Sequence, residues 1–367
     1  MIGKLHLQDG TILEGESFGA QTSRAGEVVF STGMVGYPEG ITDPSYQGQI
    51  LTLTYPLIGN YGVPDPSFFE SSGIKVSGLI VSTYNETPSH FGSLRTLSQW
   101  LQDEDIPALQ IKNTRNLTEK LRDEGSKLGK IVFADDIPYY DPNKENLVAQ
   151  VSVKNISILK SFSNPAKSKN IVYVDCGGKR NMIQCMQRRG ANVVMVPWDY
   201  DPFVKQNADH LRELLRDEGL RSEIEGIVIS NGPGDPKYAD RTIAITKRAL
   251  EEKIPLLGIC LGHQLLSLAA GGNTKKLKFG HRSQNQPCQM AGSARCFITT
   301  QNHGFEVSDL PPGFKTWFTN ANDNTNEGII HTKLPFMSVQ FHPEATPGPV
   351  DTEWIFDYYL NKVKSKQ

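Results

Sequence analysis

The window Leu256-Leu257-Gly258-Ile259-Cys260-Leu261-Gly262-His263-Gln264 constrains this chain most. A short apolar β-type run ends, a cysteine stands between two glycines in G-x-C-x-G spacing, and an apolar helical run from His263 to Ala270 begins. This is the pattern of a nucleophile elbow, with cysteine in place of serine. The glycines allow a tight turn in which the central residue takes strained dihedrals. The helix start then directs free N–H groups at the sulfur, which favours thiolate. The Leu261 N–H would face an oxyanion. The same window also reads as a strand carrying a buried structural cysteine.

The residues around the window set its fold. Strand patterns at Ile171–Cys176, Asn192–Pro197, Gly226–Ser230 and Pro255–Ile259 alternate with helical ones at Asn181–Arg189, Asp209–Glu218 and Ala239–Glu252. That rhythm predicts an α/β domain, a doubly wound and mostly parallel sheet with helices on both faces. Shorter strands, Arg295–Thr300 and Phe336–Phe341, and a closing helix, Thr352–Lys362, follow. The first half is rich in Gly, Pro and Thr and carries short β-type runs at Glu27–Phe30, Gln49–Tyr55 and Lys75–Ser82. Helical periodicity shows at Ser93–Asp103 and Leu117–Glu124, so a smaller mixed α+β domain is expected. Ser161–Lys169 is small, polar and charged and reads as a linker. The expected division is a domain over 1–150, a linker over 151–169 and a second domain over 170–367. The charged end from Lys362 to Gln367 fits either a terminus or a linker. A length of 367 residues agrees with two domains at roughly 150 residues each.

Composition excludes several function classes. Basic and acidic residues number 38 and 40, so no overall cationic field recruits nucleic acid or an anionic membrane. No apolar run approaches the roughly 18 residues of a membrane span. The N-terminus has neither a signal-peptide core nor the Arg/Ser richness of a transit peptide, and a cytoplasmic location is expected. The five cysteines, Cys176, Cys185, Cys260, Cys288 and Cys296, show no C-x-x-C spacing. A disulfide scaffold or zinc ribbon is therefore not expected, and no metal site is assigned.

A nucleophilic cysteine needs a base and an orienting group. His342 and Glu344, in Val339-Gln340-Phe341-His342-Pro343-Glu344, stand two apart just after a buried-type strand. There a carboxylate can fix the imidazole tautomer and balance its charge. His263 is expected to cap or pack the helix start, and His303, in Gln301-Asn302-His303-Gly304-Phe305, to lie in a polar turn. Asn231-Gly232-Pro233-Gly234-Asp235-Pro236 follows a strand of the same sheet. Its glycine N–H groups suit an oxyanion hole or an ordinary βα turn.

In this order the motifs resemble those of the class I, triad-type glutamine amidotransferases. Thr32–Glu39, Thr42–Tyr46 and Leu53–Gly62 narrow the resemblance to the glutaminase small subunit or domain of carbamoyl-phosphate synthetase, with wording closest to the eukaryotic fused forms. The resemblance implies Cys260 as nucleophile, His342 as base and Glu344 as third triad member. It implies substrate contacts from Ser45, Lys179, Gly232, Gly234, Leu261, Gln264, Asn302, Gly304 and Phe305. It further implies hydrolysis of L-glutamine through a cysteinyl thioester, with ammonia passed to a synthetase large subunit or fused domain. No cofactor is expected in this chain. ATP, Mg and bicarbonate would be used by the partner. Pyrimidine or arginine biosynthesis is the implied setting.

Three positions depart from the family pattern. Asn113 stands where Asp is usual. Ser283 stands where Gly is usual, at a cost of about 1 kcal/mol if that position needs φ > 0. Gly178 replaces a larger apolar residue and is expected to loosen the turn before Lys179. Asn113, Ser283 and the lack of a synthetase-sized portion in these 367 residues motivate an alternative, a folded but weakly active regulatory or binding module of the same complex. A different class I amidotransferase is disfavoured by the N-terminal motifs. A protein deamidase is disfavoured by the contacts to free α-amino and α-carboxyl groups.

Overall fold

The computed structural model of the chain describes residues 1–363; residues 364–367, at the end of the charged tail and of the domain expected over 170–367, lie outside the described residues. It divides into two compact units. Unit 1 comprises 1–147, 277–284 and 346–348, and unit 2 comprises 148–276, 285–345 and the C-terminal segment from 349.

In unit 1 the mixed α+β domain takes the form of a closed barrel. Its strands are β1 (Ile2–Leu7), β2 (Ile12–Ser17), β3 (Arg24–Ser31), β4 (Gln49–Leu53), β5 (Gly78–Val81), β6 (Ala108–Gln110) and β7 (Lys127–Val132), in the order β1-β2-β6-β5-β4-β3-β7. β1 pairs with β7 and closes the ring. Val28, Ile50, Ile80 and Leu109 enter one apolar cluster, and their neighbours Val29, Leu51, Leu79 and Ala108 enter another. Both strand faces are therefore covered, which is why these strands read as continuous apolar runs. Thr96 closes a capping box on the helix Leu97–Asp103. The Asn113 side-chain oxygen accepts from the Asn116 N–H at 3.3 Å and caps the helix Thr114–Glu124. Asn and Asp are near-equal N-caps, so this departure keeps the helix start intact.

Unit 2 holds a ten-stranded sheet. Its strands are β8 (Ser157–Leu159), β9 (Lys169–Asp175), β10 (Ala191–Pro197), β11 (Gly226–Ile229), β12 (Leu256–Ile259), β13 (Asn273–Met290), β14 (Cys296–Asp309), β15 (Phe314–Asn320), β16 (Asn326–His331) and β17 (Phe336–Val339). The order is β14-β13-β15-β16-β17-β12-β11-β9-β10-β8. The run β10-β9-β11-β12-β17 is parallel, flanked by antiparallel strands. Alternate residues again split between faces. Tyr173, Val193, Val228 and Leu257 pack with the helices Arg180–Arg188 and Trp354–Lys362, while Val172, Val194, Ile227 and Leu256 pack with the helices on the other face.

Two expectations change. The linker over 151–169 is part of unit 2: β8 pairs with β10, and Ser161 N–H donates to Asn192 Oδ1 at 3.0 Å. The small polar residues there serve local hydrogen bonds rather than a solvated tether. Ser283 lies in extended β13 and is not among the left-handed residues, so the strain expected from a replaced glycine does not arise. No helix of the described residues is long and apolar enough to cross a membrane.

Candidate active site

The site is built at the carboxyl ends of the parallel strands, where open α/β sheets place their ligands. β12 ends at Ile259, and Cys260 precedes the helix Leu261–Ala269 with φ 54° and ψ −101°. This left-handed conformation is strained for a residue with a Cβ. Gly258 permits it, because a Cβ there would run into the Gly262 carbonyl. The Cys260 N–H is held by Val339 O at 2.8 Å, and the Gly262 N–H by Ser230 O at 3.0 Å. The His263 and Gln264 N–H groups turn back to Cys260 O. In the first helical turn, no acceptor among the described residues takes up the Leu261 N–H. That N–H is the group an oxyanion would meet in an elbow.

His342 and Glu344 follow β17. His342 Nδ1 and Glu344 Oε1 are 2.6 Å apart, and the residues are 1% and 0% exposed. Burial lowers the proton affinity of the imidazole. The charges of Glu344 and Cys260, and hydrogen bonds to both, outweigh it and raise the His342 pKa to about 10. Burial also opposes the Glu344 charge, but His342 and Lys179 hold its carboxyl below the usual range. Nδ1 thus faces the carboxylate, the arrangement in which a triad would use Nε2 for the reaction.

Lys179 does not end at a solvent-facing pocket. Its Nζ lies 3.4 Å from Glu344 Oε1, with both side chains buried, and donates to Ala345 O. Neighbouring backbone is tied down. Asp175 Oδ1 accepts from Gly177 N–H at 3.2 Å and Gly178 N–H at 2.7 Å, and Asn231 Oδ1 accepts from Lys179 N–H at 3.0 Å. Gly178 therefore does not loosen this turn. A Cβ at Gly178 would strike the Tyr173 hydroxyl, so the tyrosine occupies the space that a larger residue at 178 would need. Gly178→Val is expected to cost about 1–3 kcal/mol through overpacking. Adding Tyr173→Phe should recover part of that, as read by urea unfolding. A neutral Gly178→Val would remove this packing account.

Within unit 2, Gln264, Gln340 and Asn302 lie beside the elbow. Gln264 Nε2 donates to Phe305 O at 2.9 Å and to Gln340 Oε1 at 3.0 Å. Gln340 Nε2 reaches Cys260 Sγ at 3.7 Å, and Sγ lies 3.7 Å from Asn302 O. Asn302, Gly304 and Phe305 all belong to β14, and Gly232 and Gly234 lie in the loop leaving β11. Ser45 belongs to unit 1, in the turn Pro44–Tyr46, with its N–H on Asp43 Oδ1 at 2.9 Å. His263 is fully buried, with Nδ1 2.9 Å from Ser338 Oγ, and desolvation lowers its pKa to about 3. It packs, as expected. His303 is not in a turn; it lies in β14 with Nδ1 2.8 Å from Phe305 O. The polar residues of that stretch bond inward on a buried strand, which local composition does not reveal.

Gln340, Asn231 and Asp175 were given no role from sequence. Gln340 had one signal: it lies two residues before His342 on the same strand exit.

Comparison with known proteins places the chain. The family model "Glutamine amidotransferase class-I" matches residues 172–362, and "Carbamoyl-phosphate synthase small chain, CPSase domain" matches 5–131. The chain is 44% identical to the carbamoyl phosphate synthase arginine-specific small chain of Saccharomyces cerevisiae, covering 98% of this chain and 88% of that one. The chain belongs to the carbamoyl-phosphate synthase small-chain family. It is 46% identical to multifunctional protein URA2 of the same yeast, over 98% of this chain and 17% of that protein. It is also 46% identical to human "Carbamoyl-phosphate synthase [ammonia], mitochondrial", over 98% of this chain and 23% of that protein. The chain thus spans about a sixth of the multifunctional relative and under a quarter of the human one.

Proposed function

We propose that this chain hydrolyses L-glutamine to glutamate and ammonia, and delivers the ammonia to a carbamoyl-phosphate synthetase large chain or fused domain. The observation that carries this is Cys260 in a strained elbow beside a buried, 2.6 Å His342–Glu344 pair. Cys260 and His342 start as a thiolate–imidazolium pair, the thiol proton already on the imidazole, and Cys260 Sγ attacks the side-chain amide carbon. The Leu261 N–H and the Gly232–Gly234 loop meet the oxyanion. His342 gives the proton to the departing nitrogen, and ammonia leaves a glutamyl thioester. Water, deprotonated by His342, then cleaves the thioester to glutamate and restores the thiolate–imidazolium pair. Gln264, Asn302, Gly304 and Phe305 are assigned to the glutamine. ATP, Mg and bicarbonate are assigned to the partner.

The test is glutamine hydrolysis by the purified chain with and without a synthetase chain, using amide-labelled [15N]glutamine. Label appearing in carbamoyl phosphate, with hydrolysis raised by the partner, is the expected result. Hydrolysis absent under both conditions from a folded chain would favour the regulatory-module reading.

A further inference from the structure

We infer that Lys179 is a positioning residue of the glutaminase, holding the Glu344 carboxylate, and through it the His342 ring, in the reactive arrangement. This rests on the proposed reading. The resemblance assigns Lys179 to the substrate, but the geometry points elsewhere. Its Nζ is 3.4 Å from Glu344 Oε1, the same oxygen that lies 2.6 Å from His342 Nδ1. The Lys179 and Glu344 side chains are 3% and 0% exposed. Glu344 Oε2 is buried with no hydrogen-bond partner. A buried carboxylate with one oxygen unsatisfied depends on nearby cations. With His342 protonated and Cys260 as thiolate, the four groups sum to zero charge; without the ammonium they carry one uncompensated negative charge.

Lys179 is also aimed from a rigid base. Asp175 and Asn231 fix the loop from 177 to 179, Lys179 Nζ donates to Ala345 O, and Asn181 Nδ2 donates to Glu344 O at 2.6 Å. The loop after β9 therefore grips the turn that carries Glu344, in which Ala345 has φ 55°. A lysine offered to a glutamine ligand would not need this clamp.

The groups facing Glu344 are His342, Lys179, Tyr173 and Cys185, with Cys260 acting on His342. Burial pushes Tyr173 and Cys185 up, so they stay neutral across an ordinary assay range. Removing Lys179 takes away one of two cations that keep Glu344 ionised. The pH at which its charge is lost must then rise.

The decisive variant is Lys179→Met. Its kcat at neutral pH is expected to fall about tenfold, with the acid limb of the pH profile moved up by about one pH unit and KM nearly unchanged. Lys179→Arg should restore the limb. In a Glu344→Gln background Lys179→Met should cost little more, because the group it serves is gone. An unmoved acid limb, an effect on KM alone, or an undiminished loss in the Glu344→Gln background would overturn the assignment. The pH dependence of Cys260 alkylation by iodoacetamide gives the same limb without turnover. It therefore separates failure of this inference from failure of the glutaminase reading. Should Lys179→Met not fold by circular dichroism, Lys179→Gln serves, since it keeps a donor for Ala345 O and loses only the charge.

Discussion

Cys260→Ser is expected to abolish glutamine-dependent carbamoyl phosphate formation while sparing the ammonia-dependent route of the synthetase partner. Serine keeps the Cβ and one γ atom, so the φ 54° elbow and its bonds to Val339 and Ser230 have no reason to change. What changes is the nucleophile. A hydroxyl is a far poorer anion than a thiol, and the surroundings here suit a large, polarisable sulfur, with Gln340 Nε2 and Asn302 O both at 3.7 Å. Loss of an activated nucleophile leaves only binding and oxyanion contributions, so a fall of about 1,000-fold or more in glutamine hydrolysis is expected. The readout is carbamoyl phosphate formed from glutamine and from ammonium chloride in parallel. Equal loss from both donors would mean that the serine damages the assembly. Undiminished use of glutamine would remove Cys260 from the chemistry and sink the proposed function.

The elbow was legible because its chemistry is local. G-x-C-x-G at a strand-to-helix junction needs only neighbouring residues to make sense, and His342-Pro343-Glu344 is equally compact. The central parallel strands were legible for a similar reason, since burial on both faces leaves continuous apolar runs. Less visible were features that depend on distant pairing. The barrel closes through β1 and β7, whose residues are brought together by register rather than by pattern. The 14-residue β14 read as a short strand followed by a polar turn, because Gln301, Asn302 and His303 place polar groups inside the fold. Ser161–Lys169 looks like a tether because its serine hydroxyls bond to backbone carbonyls instead of packing apolar surface. Lys179 is the sharpest case. Its type and position suit a ligand contact, and only the spatial approach of Glu344 turns the ammonium inward. Gly178 illustrates the converse: an apparent weakness in the chain is complemented by the Tyr173 hydroxyl of the strand that leads into its loop.

His342→Asn carries the second large effect. Without the base, Cys260 loses its proton acceptor and the leaving amide nitrogen its donor, and glutamine hydrolysis is expected to fall by about 100- to 10,000-fold. A stability signature should accompany this loss and has a definite sign. The folded-state pKa of His342, about 10, stands above the unfolded value of 6.5. A group raised in this way stabilises the fold fully below its unfolded pKa, and the contribution fades as pH climbs through the folded one. Glu344 works in the opposite direction: its carboxyl is lowered, so its contribution is present above the usual carboxylate range and lost on acidification. The stability gap between wild type and His342→Asn, measured by urea unfolding, should therefore be widest between the usual carboxylate range and neutral pH, narrow on acidification as Glu344 gains its proton, and close toward pH 10. Glu344→Gln removes the strongest attraction on the imidazolium, so in that variant the alkaline decline should begin at lower pH. A gap that stays constant from neutral pH to about 10 would mean that His342 is not held protonated in the fold. The acid–base cycle proposed for it would then need another proton carrier.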